Sequence, residues 1–227
     1  MSTPENPTIL DLKKVKTAFQ EHEARFYELR GHIISCARKI KIFMLIVDYK
    51  QKSTAMYGEP FWGWLQMETI CPEIMLSCCR LAEGLSKYIL DFLKLILPQD
   101  LAIALIKNSQ LKQGTKALNK TAKEFELFRN KRAAHIECIA ISPITFDIKI
   151  LYDNLGTIDS SLDYIAHFLV NPHLIAEERW DVYKIGESQD LDNLEEYFNG
   201  DHAIQACTSI LNYLHHETQK PTFTEIE

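Results

Sequence analysis

The chain has 227 residues, enough to bury one substantial core but tight for two full domains. Apolar residues make up 46% and charged residues 25%, an ordinary globular composition for which disorder is not the default, and with only 8 Gly and 8 Pro the chain has few of the turn residues that a many-stranded sandwich or barrel would need. A net charge of −6 argues against a general nucleic-acid binder, but the charge is unevenly spread.

After a loose, proline-bearing arm at residues 1–7, the pattern from Ile9 to about Lys52 is helical. Leu12, Val15, Phe19, Phe26 and Leu29 recur at three-, four- and seven-residue steps, without strand-like alternation. Gly31 is expected to divide this stretch into two helices. Met56 to Pro60 reads as a turn, and a second helical region runs from Phe61 to about Leu97, with Pro72 marking a start or a kink. Its apolar stripe is Ile74, Leu76, Leu81, Leu85, Ile89, Phe92 and Ile96. Pro98-Gln99-Asp100 restarts the chain into Leu101 to Lys107.

The next helix is expected to begin at Thr115 or at Thr121, where Thr121 and Glu124 have the spacing of a capping box. It should end before Ser142-Pro143, because the residue before proline resists helical angles. Ile139 to Ile150 is the one segment where short extended structure is expected. Asp147 to Val170 reads helical, with Ile150, Leu151, Leu155, Ile158, Leu162, Ile165 and Leu169 on one side, and Asn171-Pro172 stops it. A loop-rich connection leads to closing helices at Leu191 to Phe198 and Ala203 to His215. Short connections between so many helices favour one all-α domain, an up-and-down bundle. Its core is placed roughly at residues 60–170, with helical extensions at 8–55 and 186–217.

The six cysteines form no CxxC pair and the N-terminus lacks an apolar signal core, so buried reduced thiols in a cytoplasmic protein are expected. The longest apolar candidate, Ile33 to Val47, is interrupted by Arg38, Lys39 and Lys41, which predicts no membrane span. Between Lys107 and Arg132 eight basic residues face Glu124 and Glu126, a local +6; from Gly186 onward nine acidic residues face Lys220 alone, a local −8. The basic segment suits phosphate, or it complements the acidic one within the fold or across a dimer.

Chemistry concentrates in Arg129-Asn130-Lys131-Arg132-Ala133-Ala134-His135-Ile136-Glu137. Arg129 and His135 are six positions apart, about 9 Å of rise and about 120° around a helix, too far for a tight pair within one chain without a bend. Two copies facing each other across a symmetric dimer could converge on one phosphate. Read without further context, His135 is a hydrogen-bonded histidine at a helix end, and Arg129, Lys131 and Arg132 are a solvated basic face.

This run resembles the signature of HEPN (higher eukaryotes and prokaryotes nucleotide-binding) domains, and is similar to the Arg-Asp/Asn-Lys-x-x-Ala-His-x-Asp/Glu segment of the AbiU-type abortive-infection branch. The motif covers about nine residues, within a helical order compatible over residues 60–170. The resemblance implies a metal-independent endoribonuclease without cofactor, a toxin or phage-defence effector that acts on RNA as a homodimer and answers to an antitoxin or inhibitor protein. It assigns His135 to proton transfer, Arg129 to neutralising phosphorane charge and Asn130 to orienting His135 or the phosphate. Lys131, Arg132 and Lys123 would hold RNA, and Glu83, with Lys87 four residues on and Arg80 one turn before, would stand behind the site; read by itself, the Glu83–Lys87 spacing gives a surface ion pair. Glu137 occupies the place where antitoxin-modified members carry a tyrosine, which puts that form of regulation in doubt.

Other readings stay open: a non-catalytic helical module binding RNA, a nucleotide or a partner protein, and a scaffold that uses its charge asymmetry for dimerisation. His215-His216-Glu217 is expected to be a solvated helix end rather than a metal site, since adjacent helical residues diverge by about 100°. Phe61-Trp62-Gly63-Trp64 is expected to be an aromatic plug between helices. There is no glycine-rich phosphate loop, GxSxG or HExxH motif.

Overall fold

The computed structural model describes residues 12–52, 65–108, 110–134, 147–170 and 192–219. Among these residues no strand occurs. The helices are α1 (Leu12–Lys52), α2 (Cys71–Ile96), α3 (Gln99–Asn108), α4 (Leu111–Ala134), α5 (Ile148–Val170), α6 (Asp192–Asn199) and α7 (His202–Gln219), and a π-helical turn at Leu65–Ile70 leads into α2.

Four helices form an up-and-down bundle, and cross-helix contacts fix their directions. On α1 and α2, Cys36 Sγ lies 3.7 Å from Cys78 Sγ, Lys39 donates to Ser77 Oγ at 2.9 Å, and Tyr88 donates to the Arg25 carbonyl at 3.3 Å. Rising numbers on one helix meet falling numbers on the other, so the two are antiparallel. The same holds for α1 and α5, where Arg30 meets Asp159 and Asp163 while Lys41 sits 5.8 Å from the centre of the Tyr152 ring. Cys79 Sγ approaches the Ala122 carbonyl at 3.6 Å, joining α2 to α4. The short path from Leu97 to Leu111, mostly the ten residues of α3, reaches this contact only if α4 also runs against α2. Against α5, α4 places Gly114 beside Asn154 and Ile158.

Each of the four helices contributes to one buried cluster. Phe19, Phe26, Ile33 and Ile40 come from α1; Ile74, Leu85, Ile89 and Leu93 from α2; Leu118 and Phe125 from α4; Leu155, Ile158, Leu162 and Ile165 from α5. Burying each such side chain contributes about 1.5–3 kcal/mol. The N-terminal helix is therefore part of the central core rather than an extension of a 60–170 unit. Phe19, Phe26 and Phe92 close one end of the bundle, with Phe26 and Phe92 centroids 5.4 Å apart. At the other end α7 lies alongside the later part of α1, where Ile46 and Leu211 form a second, smaller core.

Several expectations need correction. Gly31 does not divide α1, which runs unbroken for 41 residues. The core residues Phe26 and Ile33 lie on either side of it, and their burial outweighs the propensity cost of about 1 kcal/mol for a glycine. The fourth helix begins at Leu111, not at Thr115 or Thr121. Both hydroxyls bond back into their own helix, Thr115 to the Leu111 carbonyl and Thr121 to that of Ala117. A threonine with a full turn before it satisfies a carbonyl rather than capping amides. Residues 148–150 are helical, because Asp147 Oδ1 accepts from the amides of Lys149 and Ile150 and starts α5. Ile150, expected on the apolar side, is exposed in that first turn. The turn at Met56–Pro60, the Phe61–Trp64 cluster and the Asn171-Pro172 stop lie outside the described residues.

Two polar links tie the outer helices to the core. Arg30 reaches Asp159 with Nε at 2.7 Å and Nη2 at 3.1 Å, and Asp163 with Nη1 at 2.6 Å. Asp159 is buried, and the paired geometry satisfies both its oxygens. Asp201 caps α7 by accepting from Ala203 and Ile204 while its other oxygen takes Arg38 Nη2 at 2.7 Å. Burial would raise the Asp201 carboxyl, but these hydrogen bonds and the Arg38 charge outweigh it and hold the group below its ordinary value.

Two measurements follow from this packing. A Cβ at Gly31 meets open space, whereas one at Gly114 would stand 2.7 Å from Ile158 Cγ1 and 3.4 Å from the Asn154 carbonyl. Gly31→Ala should stabilise the protein by about 0.5–1 kcal/mol in urea unfolding, and Gly114→Ala should destabilise it despite the same gain in propensity. Because the Asp201 carboxyl titrates below 3.8 when folded, its stabilisation is complete above 3.8 and disappears as pH falls through the lower folded value. Asp201→Asn should therefore lower the unfolding midpoint at pH 7 and flatten its fall between pH 7 and the acid limit.

Candidate functional site

The site-bearing stretch lies at the end of α4. From Leu111 onward the buried side chains of this helix are Leu111, Thr115, Leu118, Ala122 and Phe125, an alternation of four- and three-residue steps that forms a seam toward α2 and α5, with Gly114 also buried where α5 closes on it. Continued along the helical backbone, the same steps fall on Arg129 and Arg132. Both arginines thus occupy positions in register with the core seam, where the preceding turns carry apolar or hydrogen-bonded side chains.

The opposite face of α4 is basic. Lys112, Lys116, Lys120 and Lys123 are all exposed and lie within an arc of about 80°. Asn130 falls in register with this lysine face, about 100° around the helix from Arg129. The stretch read from sequence as one polar group is accordingly divided between two faces of the helix, Arg129 and Arg132 on the seam and Asn130 on the lysine side. The backbone of Arg129, Asn130, Lys131 and Arg132 is helical. Their side chains, and the whole of His135, lie outside the described residues.

Counting along antiparallel α2 and α4 from the Cys79–Ala122 contact puts Arg129 level with the start of α2 near Pro72. That end of the bundle also holds the π-helical turn Leu65–Ile70, Lys41 against the Tyr152 ring, and the Asp147 cap of α5. A π-helical turn departs from the regular ladder and is frequent beside functional sites. Lys39 bridges Glu73 at 3.1 Å and Ser77 at 2.9 Å in the same region, an ion pair exposed enough to contribute within about 1 kcal/mol.

Glu83 does not stand behind Arg129. By the same count it is level with Leu118, about 16 Å of helix rise from Arg129, and it is exposed. Its spacing from Arg80 and Lys87 places it on a helix surface without aiming it at the motif. Lys123 is exposed on the lysine face, about two turns before Arg129.

Cys36, Cys71, Cys78 and Cys79 are buried and form no disulfide, and contact with Cys36, reinforced by burial, pushes the Cys78 thiol up and keeps it protonated. His215 packs edge-on against Tyr49 at 5.9 Å while His216 is exposed. Among the described residues, no group of three or more His, Cys, Asp or Glu is gathered to hold a metal ion. No described helix is long and apolar enough to cross a membrane.

Sequence reasoning had singled out the charge of the 107–132 segment but not its distribution on the helix. The signal was present in the four-, four- and three-residue steps from Lys112 to Lys123. No protein-family model, curated protein or solved structure matches the chain.

Proposed function

We propose that the protein is a metal-independent endoribonuclease of the HEPN type that acts on RNA as a homodimer. The observation that carries this reading is the run Arg129–Glu137, whose residue types and spacing resemble the HEPN signature and whose first six residues close α4. The register of α4 adds support, because it sets two arginines in line with a seam that is otherwise apolar or locally hydrogen-bonded. A guanidinium also carries a fixed charge and a planar fork of donors, which suit a phosphate better than an ammonium does.

In the proposed reaction a base takes the proton of an RNA 2′-hydroxyl, and that oxygen attacks the adjacent phosphorus. The bond from phosphorus to the 5′-oxygen breaks, and the departing oxygen receives a proton. The products are a 2′,3′-cyclic phosphate and a free 5′-hydroxyl, with no metal and no net redox change. His135 serves in proton transfer, since its ordinary pKa suits both directions near neutrality. Arg129 offsets the charge that builds on the phosphorane oxygens. Asn130, in register with the lysine face, orients the phosphate, and Lys131 and Arg132 add to the grip on the strand.

A sequence spacing of six residues between Arg129 and His135 favours a composite centre in which the arginine of one subunit works with the partner's His135. The resemblance extends the proposal to a toxin or phage-defence effector kept silent by an inhibitor protein. Purified protein incubated with a structured RNA and a chelator should yield cyclic-phosphate ends, and Arg129→Ala and His135→Ala should each reduce the rate by at least about 10²-fold. RNA binding without cleavage would instead identify a non-catalytic helical module.

A further inference from the structure

Among the described residues, no acidic side chain covers the lysine face of α4. Lys112, Lys116, Lys120 and Lys123 are exposed, and none of them pairs with an acidic residue among the described residues. Successive steps of four, four and three residues advance the row by about 16 Å along the helix while keeping it within about 80° of one direction. Four like charges on one helix face repel one another by a few tenths of a kcal/mol per neighbouring pair, so the row costs stability in the isolated chain. It gains from that arrangement only when an extended anion lies along it.

We propose that this row is a track for the backbone of single-stranded RNA, delivering the strand to the end of α4. The inference rests on the ribonuclease reading for its choice of ligand. A nearly straight line of flexible ammonium groups complements a chain of regularly spaced phosphates, and it needs no contact to base edges. Lysine suits this role, because a point charge on a long stem follows a sliding strand, whereas the planar fork of arginine fixes one phosphate. The helix thus combines two functions by position: a sequence-tolerant phosphate track along three turns, then the motif that begins at Arg129. Exposed Glu124 and Glu126 flank the arc about 40° beyond either edge and border only its Lys120–Lys123 end, so the row from Lys112 to Lys120 is the positive part of the track.

The test uses a labelled oligouridylate bearing 2′-O-methyl groups, which cannot be cut because the attacking hydroxyl is blocked. Binding is measured against salt for the parent protein and for Lys112→Gln/Lys116→Gln/Lys120→Gln. A control, Lys16→Gln/Lys87→Gln/Lys94→Gln, removes three exposed charges from α1 and α2. The track predicts that the α4 variant weakens binding at least about tenfold and lowers the slope of log affinity against log salt by about 2, near 0.7 per lost phosphate contact. The triple arginine variant at the same positions should restore binding, and the control should bind within about twofold of the parent. Equal binding by the α4 variant, equal loss in the control, or capture of polyglutamate in place of the oligonucleotide would each overturn the proposal. Thermal unfolding of every variant guards against a trivial loss of fold. Track-dependent binding with no cleavage of ordinary RNA would leave the track standing and remove the nuclease reading. Unchanged cleavage by the α4 variant would do the reverse.

Discussion

The seam of α4 against α2 and α5 is the constraint on which the rest of the arrangement depends. Leu111, Leu118 and Phe125 enter the core at seven-residue intervals, with Thr115 and Ala122 between them, and Cys79 fixes the level of the helix through the Ala122 carbonyl. Once that face is committed to the interior, helical periodicity directs Lys112, Lys116, Lys120 and Lys123 to solvent. It also carries Arg129 and Arg132 into the line of the seam. Rotation of α4 by a single residue step, about 100°, would move charged residues into an apolar core, at a cost of several kcal/mol. Orientation of the basic residues is therefore a consequence of packing, not an independent feature.

The neighbouring helices hold this frame by different means. On α1 the aromatic cluster of Phe19 and Phe26 with Phe92 anchors one end, while Arg30 clamps α5 through the buried Asp159. Such a clamp adds little net stability relative to an apolar pair, but a misplaced register would leave a buried carboxylate without its cation. Asp201 does comparable work for α7, capping the helix and receiving Arg38 from α1. Apolar burial supplies most of the stabilisation, and these polar links select one register from several that the apolar stripes alone would tolerate.

Much of the bundle was legible in the sequence because its helices bury regular stripes. Ile74, Leu81, Leu85, Ile89, Phe92 and Ile96 are all buried on α2 as their spacing predicts, and Pro72 stands in its first turn. Leu151, Leu155, Ile158, Leu162, Ile165 and Leu169 behave likewise on α5. Errors arose where local signals compete with tertiary packing. Gly31 suggested a break, yet buried residues on both sides carry the helix through it, and Thr121 had capping-box spacing but lies inside a helix already begun ten residues earlier. The importance of α1 was underestimated because a motif-centred view set the core at 60–170, whereas Ile33, Cys36 and Ile40 share the same interior as α2. For the site, residue type and spacing named Arg129, Asn130 and His135, but only a helix with a known buried face separates Arg129 from Asn130. Glu83 is exposed, as its surface reading expects, and the antiparallel pairing of α2 with α4 sets it level with Leu118 rather than with Arg129.

In the proposed account the two faces of α4 divide the work: the interior face sets the helix in the core, and the outer face would supply the path along which a polyanion approaches. What makes the account specific is the claim that one catalytic centre draws its guanidinium and its imidazole from two subunits. Mixing Arg129→Ala and His135→Ala proteins, each inactive alone, and isolating the mixed dimer tests it most directly. The account predicts that the mixed dimer regains cleavage, because one of its two centres combines an intact Arg129 with the partner's His135. A verified mixed dimer that remains as inactive as either parent would contradict it.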